Sequence, residues 1–269
     1  VEEQFGAPRD FGAFVYLSQV MQAEGIGLAA LHHRRSRPTT MGSLYWQLND
    51  VWPGASWSGI DWFGRPKALQ FHARRFFAPV ALAALRDAAG NTKVSLLNDR
   101  THAVQGELRT RVMTLDGKVL RDERKAVEIA PLSAFEAAGY VDADLLGGAD
   151  PASTVAVFEL RAEGEPASRG VVYFARAKDI VWRDGNLRAG LRRDGDGYVV
   201  EIEAARLARA VWIDFGALDA ELSDNALTVL PGERVQLRVS STANEDALRA
   251  ALNIRSLSDV VRATTTTTP

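Results

Sequence analysis

The sequence predicts a multidomain protein in which an α/β segment is followed by all-β domains. Residues 9–35 carry apolar side chains every three to four positions, as an amphipathic helix does. The apolar run over residues 41–48 has the length of a buried strand, and a second helix is predicted over residues 66–77. After residue 78, alternating stretches separated by turn signals indicate antiparallel β-sandwiches.

The first predicted helix is defined by its apolar stripe and by the residues that end it. Gly25 and Gly27 lie within the stripe, and we expect a break or kink there because glycine weakens a helix interior. Arginines near the end of the stripe suit a helix C-terminus, and Pro38 stops the helix. The stripe consists of Phe14, Leu17, Val20, Met21, Leu28 and Leu31.

The run over residues 41–48 is too short for a helix between its flanking breakers, so we expect a buried strand of a parallel sheet. A turn-rich loop follows over residues 49–54, and Pro66 suits the first turn of the next helix. The order helix, strand, loop and helix is typical of the closing part of an α/β barrel or of a doubly wound sheet.

Two sandwich-like modules are predicted after the α/β segment, which covers residues 1–77. Turn signals between alternating stretches predict one sandwich over residues 78–180. Strict alternation over residues 235–239 is the clearest signal of a second sandwich over residues 181–260, with the joint near residues 178–185. Residues 261–269 are rich in threonine and are expected to form a flexible tail.

The composition excludes several classes of function. Among 269 residues, 32 Lys and Arg oppose 34 Asp and Glu, and a net charge of −2 argues against nucleic acid or an anionic membrane as a partner. No apolar run approaches the ~18 residues of a membrane span. The absence of cysteine excludes disulfides, Cys-based zinc sites and thiol nucleophiles. His32 and His33 point apart on a helix, and no phosphate-binding glycine loop is present, so neither a metal nor a cofactor is expected.

Four of the six tryptophans lie within 17 residues, namely Trp46, Trp52, Trp57 and Trp62. Indole faces stack on the C–H faces of sugar rings, and the indole N–H can donate a hydrogen bond to a hydroxyl. The same side chains could instead pack a core under a long loop, and the residues alone leave both interpretations open. Asn49 and Asp50 add hydrogen-bonding groups beside the aromatic rings, although both are also ordinary turn residues.

The segment TMGSLYWQLNDVWP at residues 40–53 is similar to the region around the eighth barrel strand of the family 2 β-mannosidases. Residues 16–26 resemble the preceding helix of that family, and residues 222–225 and 230–233 resemble its last immunoglobulin-like domain. The resemblance implies that residues 1–77 form the C-terminal part of a catalytic (β/α)8 TIM barrel, with its last strand and helices. It also implies immunoglobulin-like β-sandwiches over residues 78–180 and 181–260.

The resemblance implies retaining hydrolysis of terminal, non-reducing β-D-mannose from β-mannosides and manno-oligosaccharides. Retention of configuration needs two carboxylates about 5–5.5 Å apart. The two catalytic glutamates of the family are expected upstream of Val1, since Glu2, Glu3 and Glu24 match neither position. No catalytic residue is therefore expected in this chain. We expect it to be inactive alone and to act with the N-terminal part of the same enzyme.

The resemblance also implies a sugar-binding role for part of the tryptophan cluster. Trp46 is expected under the mannose of the glycone subsite, beside a non-proline cis peptide bond. Asn49, Asp50 and Trp52 are expected to shape the same pocket or to hold its loop, and the other two tryptophans to pack the loop. The alternatives are a non-catalytic carbohydrate-binding or scaffolding module, and another family 2 specificity such as β-glucosaminidase or β-galactosidase.

Overall fold

The computed structural model describes residues 1–261. Three helices come first, and two antiparallel sandwiches follow. The helices are α1 (Glu2–Phe5), α2 (Phe11–Arg35), α3 (Ala68–Phe76), α4 (Asp142–Leu146) and α5 (Glu245–Ala251). The strands of the first sandwich are β1 (Val80–Arg86), β2 (Asn91–Asn98), β3 (Val104–Thr114), β4 (Val119–Ile129), β5 (Ser133–Val141), β6 (Thr154–Ala162) and β7 (Ser168–Tyr173). Those of the second are β8 (Arg188–Asp194), β9 (Gly197–Glu203), β10 (Ala208–Asp214), β11 (Glu221–Leu222), β12 (Leu227–Val229), β13 (Arg234–Ser240) and β14 (Asn253–Arg255).

Helix α2 confirms the predicted first helix but lacks the predicted interruption. The Asp10 carboxylate caps its start by accepting a hydrogen bond from the Ala13 amide at 2.7 Å. The helix is continuous through Gly25 and Gly27. A Cβ at Gly27 would lie 3.3 Å from Phe76 of α3, so this glycine lets the two helices approach closely.

The prediction of a buried strand over residues 41–48 is wrong for this chain. The segment is irregular and is not part of a sheet, and Met41, Leu44 and Leu48 are exposed. A parallel strand needs neighbouring strands to bond its backbone groups. Within residues 1–261 the nearby pairing is limited to two isolated bridges, from Ile60 to Asn49 and from Ile60 to Pro66, so the described residues form no barrel sheet.

Each sandwich consists of a three-stranded and a four-stranded sheet. In the first, the strand orders are β1-β2-β5 and β4-β3-β6-β7; Leu96 and Phe158 lie in the core between them, and neither is exposed. In the second, the orders are β12-β10-β14 and β11-β13-β9-β8, around Val200 and Ile213. Alternation of buried and exposed residues along β13 agrees with the sequence pattern there. The prediction of two sandwiches is confirmed.

A further core joins the helical segment to both sandwiches. Tyr16, Leu17 and Val20 of α2 contribute one side of it. The first sandwich and its connection supply Met113, Leu115, Val155, Val157 and Trp182, and the second supplies Leu207, Leu230, Leu257 and Val260. Because these apolar side chains share one core, α2 packs on the sandwiches without any other part of a barrel.

The described part of the chain ends at Val261. Val261 is buried in the shared core, whereas the rest of the predicted tail, residues 262–269, lies outside the described residues. None of the helices described is both long enough and apolar enough to cross a membrane.

Candidate functional site

The tryptophans nominated from the sequence lie on an exposed loop between α2 and α3. Trp46 and Trp52 keep 75% and 70% of their surface exposed. Asn49 is exposed as well, and its side-chain amide donates to the Asp50 carbonyl oxygen at 3.1 Å. The peptide bond between Trp46 and Gln47 is cis, as the family resemblance implies.

Backbone hydrogen bonds hold this loop in place. The Gly59 amide donates to the Gln47 carbonyl at 3.0 Å, and the Ile60 amide donates to the Leu48 carbonyl at 2.9 Å. In return the Asp50 amide donates to the Ile60 carbonyl at 3.0 Å. The segment that carries Trp46 is therefore tied to the far side of the loop by main-chain bonds rather than by a sheet.

Asp50 lies at the centre of a buried polar cluster beneath the loop. Lys67, which precedes α3, donates from Nζ to Oδ2 of Asp50 at 3.0 Å and to the Ser58 hydroxyl at 2.7 Å. The Ser56 hydroxyl donates to the other carboxylate oxygen of Asp50. Asp50 and Ser58 are both buried, so the cluster joins the loop to the start of α3.

The surroundings of Asp50 keep it ionised. The hydrogen bond from Ser56 lowers its pKa most, Lys67 and Ser58 lower it further, and desolvation opposes them. An ionised carboxylate accepts hydrogen bonds only, and here both oxygens of Asp50 already have partners within the loop. Sequence reasoning missed Ser56, Ser58 and Lys67, because serines and a lysine near a helix start carry no signal of their own.

Trp57 and Trp62 are also exposed in the described residues, so neither packs against a core there. The Trp57 carbonyl accepts a hydrogen bond from the Gln22 side chain of α2 at 2.7 Å. Trp62 lies in a turn organised by Asp61, whose carboxylate accepts from the Phe63 and Arg65 amides at 2.8 and 3.0 Å.

The carboxylates near the loop are engaged in structural contacts. Asp61 organises a turn and also pairs with the Arg65 side chain at 3.0 Å. Glu24 of α2 pairs with Arg209 of β10 at 2.7 Å. Asp50, Asp61 and Glu24 thus each have a cationic partner within the chain. Over residues 1–261, no group of three or more His, Asp or Glu side chains could hold a metal ion.

Two family descriptions match the sandwich region. Residues 90–179 match the "Mannosidase Ig/CBM-like domain", and residues 182–260 match the Ig-fold domain of mannosidases. Together the two matches cover well over half of the chain.

Full-length relatives match nearly the whole chain. It is 29% identical over 271 aligned residues to a β-mannosidase of Bos taurus, covering 93% of this chain and 30% of the relative. It is 26% identical over 262 residues to β-mannosidase A of Aspergillus clavatus, covering 90% of this chain and 28% of the relative. The chain thus spans about three tenths of the length of the relatives that it matches.

Solved structures share the fold. The crystal structure of a β-D-mannosidase from Dictyoglomus thermophilum superposes with a TM-score of 0.83 at 23% identity, over 94% of this chain and 31% of that one. An exo-chitosanase from Amycolatopsis orientalis gives a TM-score of 0.70 at 19% identity, over 96% and 35% of the two chains. By sequence, domain content and fold together, the chain belongs to the family 2 β-mannosidases and is similar to the C-terminal portion of these glycoside hydrolases.

Proposed function

We propose that this chain supplies one wall of the glycone subsite, together with the C-terminal sandwiches, of a retaining exo-β-mannosidase. The enzyme would release terminal, non-reducing β-D-mannose from β-mannosides and manno-oligosaccharides. Trp46 is the sugar platform in this proposal, and Asn49, Asp50 and Trp52 shape the pocket or hold its loop. The observation that carries the proposal is an exposed Trp46 on a loop held by internal bonds, within a chain similar to β-mannosidases over 93% of its length.

The exposure of Trp46 supports a binding role over a packing role. A large aromatic side chain left in water loses the free energy that burial would supply, so a fixed and exposed indole is available to a ligand. Asp50 supports the proposal differently, because its partners hold the loop in a single arrangement before any sugar arrives.

We further infer that residues 1–77 are the closing part of the catalytic barrel, and that residues 78–180 and 181–260 are its two following domains. Large apolar side chains stand exposed along α2 and the loop after it. They are Phe11, Phe14, Met21, Leu28, Met41, Leu44, Leu48 and Val51. Such an extended apolar surface is typical of an interface. Its partner in this proposal is the N-terminal part of the same enzyme, which would also bring both catalytic glutamates.

Hydrolysis of a chromogenic β-D-mannoside tests the proposal, first with this chain alone and then with the N-terminal part of the enzyme joined to it. We expect no turnover from the chain alone and turnover from the joined protein. Turnover by the chain alone would show that the assignment of the two glutamates is wrong. Cleavage of β-glucosaminides or β-galactosides with mannosides left intact would replace the mannosidase by another family 2 specificity, and sugar binding without cleavage would favour a binding module.

The role of Trp46 is tested in the joined protein with Trp46→Ala. Loss of the indole should lower kcat/KM by about tenfold or more, since about 1.4 kcal/mol of lost transition-state binding corresponds to a factor of ten. Trp62→Ala is the matched control, because it removes another exposed indole from the same region. Equal kinetics in the two variants would remove Trp46 from the subsite.

A further inference from the structure

A β-bulge in β10 of the second sandwich turns two successive residues, Arg209 and Ala210, toward α2. Ala208 pairs with Val229 and Val211 pairs with Leu227, so Arg209 and Ala210 together oppose a single residue of β12. Ala210 has a φ of 53°, a left-handed conformation that residues other than glycine rarely adopt. Bulges of this kind redirect side chains, and this one lies where the strand meets the helix.

Arg209 is the side chain that the bulge presents to α2. Its Nε donates to Oε1 of Glu24 at 3.0 Å, and its Nη2 donates to Oε2 at 2.7 Å. The guanidinium carbon lies 4.2 Å from the ring centre of Tyr173, at the end of β7. With only 12% of its side chain exposed, Arg209 contacts the helix and both sandwiches at once.

Ala210 adds a second link to the same helix. The Tyr16 hydroxyl donates to the Ala210 carbonyl oxygen at 2.5 Å. In a regular strand the side chains project from the faces of the sheet, whereas the carbonyls lie in its plane and accept hydrogen bonds from neighbouring strands. The bulge interrupts this ladder between Ala208 and Val211, so that one helix contacts both the Ala210 carbonyl and the Arg209 side chain. The bulge therefore fixes α2 at two points, Tyr16 and Glu24.

Between these two points α2 contacts the loop that joins it to α3, the tryptophan loop, which carries Trp46, Trp52, Trp57 and Trp62. Gln22 donates to the Trp57 carbonyl at 2.7 Å, and the Gln19 side-chain oxygen accepts from the Ala68 amide at the start of α3 at 3.2 Å. Ala68 follows Lys67, whose side chain holds Asp50. Residues 16–24 of α2 thus touch the bulge of the second sandwich, the loop at Trp57 and the end of the loop at Ala68.

We propose that Arg209 is a positioning residue for the tryptophan loop, so that the second sandwich sets the loop through residues 16–24 of α2. The part that concerns catalysis rests on the proposed glycone subsite. The positioning itself does not, since loop order can be measured without substrate. The second sandwich then holds the loop in place through α2. The bulge and the left-handed backbone of Ala210 carry the conformational free energy that this arrangement costs.

Hydrogen–deuterium exchange on the full chain tests the proposal. The reporters are the amides of Gly59, Ile60 and Lys67, whose hydrogen bonds fix the loop. Arg209→Met keeps an apolar stem and removes the charge, and we expect about tenfold faster exchange at these three amides. Strands β9 and β13 should exchange as before. The matched control is Arg234→Met, which removes an arginine that is 66% exposed on the same domain.

Two further variants keep the test decisive if Arg209→Met folds poorly. Glu24→Gln removes the other charge at a position that is 34% exposed, and it should speed exchange at the same amides. Arg209→Lys keeps the charge but not the two-pronged contact, so it should give an intermediate rate. Unchanged loop amides in Glu24→Gln and Arg209→Lys, or equal acceleration across β9 and β13, would overturn the proposal whatever the hydrolysis assay gives.

Discussion

Arg34 of α2 joins three parts of the structure, and its replacement by methionine should destabilise the chain strongly. Only 6% of the Arg34 side chain is exposed. Nη1 donates to the Phe76 carbonyl at 2.5 Å, and Nη2 donates to the Ala78 carbonyl at 2.9 Å. Nη2 also pairs with Asp99 of the first sandwich at 2.8 Å. One guanidinium thus ends α3 and attaches the helices to the sandwich.

The expected loss in the free energy of unfolding follows from the groups that Arg34→Met leaves without a partner. Two carbonyls lose a charged donor, at about 1–2 kcal/mol each. The loss at Asp99 is smaller, because this carboxylate is 35% exposed and retains its ion pair with Arg37 at 2.5 Å. Methionine preserves most of the apolar packing of the arginine stem. We therefore expect the free energy of unfolding to fall by about 3 kcal/mol.

Urea denaturation of residues 1–269, followed by circular dichroism, measures this loss. With a slope of about 3 kcal/mol per molar urea for a chain of this size, the midpoint should fall by about 1 M. Arg35→Met is the matched control on the same helix, since Arg35 has a long 3.4 Å side-chain contact to His32. If both variants unfold at the same urea concentration, the reasoning on Arg34 is refuted.

Two other predictions concern the same helical segment. Gly25→Ala should raise the free energy of unfolding by about 0.5–1 kcal/mol, since nothing lies within 4 Å of the new Cβ. Gly27→Ala should raise it by less, because its new Cβ would lie 3.3 Å from Phe76. Equal increases in stability of the two variants in thermal denaturation would contradict this reasoning. Burial and nearby Arg75 lower the pKa of His72 to about 3 from an ordinary 6.5, so the unfolded chain binds a proton between these values that the folded chain does not. Stability should therefore fall by about 1.4 kcal/mol between pH 7.5 and 5.5. His72→Gln should lose this part of the pH dependence in urea titrations, and a pH profile identical to that of the unchanged chain would disprove the prediction.

The helices and the two sandwiches could be predicted because their signals are local. The apolar stripe of α2, the alternation along β13 and the turn residues between strands each depend on neighbouring positions. The segment around Trp46 misled the same reasoning. Its apolar composition is typical of a buried strand, yet within residues 1–261 no neighbouring strand pairs with it and its large side chains are exposed.

Within the candidate site, the sequence could nominate Trp46 and Asp50 but could not distinguish their surroundings. Trp46 is exposed, whereas Asp50 is buried and accepts a hydrogen bond from Lys67, which lies 17 positions away in the sequence. The bulge that brings Arg209 to Glu24 joins residues 185 positions apart, and an arginine in a predicted strand gives no sign of such a partner.

The sequence by itself determined the helices α2 and α3, the two sandwiches and the resemblance to the β-mannosidases. These follow from periodicity, turn chemistry and a dense motif, all of which are written along the chain. Only the tertiary structure decided that the helices share a core with both sandwiches and that β10 braces α2. The physical reason is that packing and ion pairs between distant residues depend on which surfaces lie together in space. Periodicity and turn signals report only on neighbouring positions of the chain, so they do not identify these contacts.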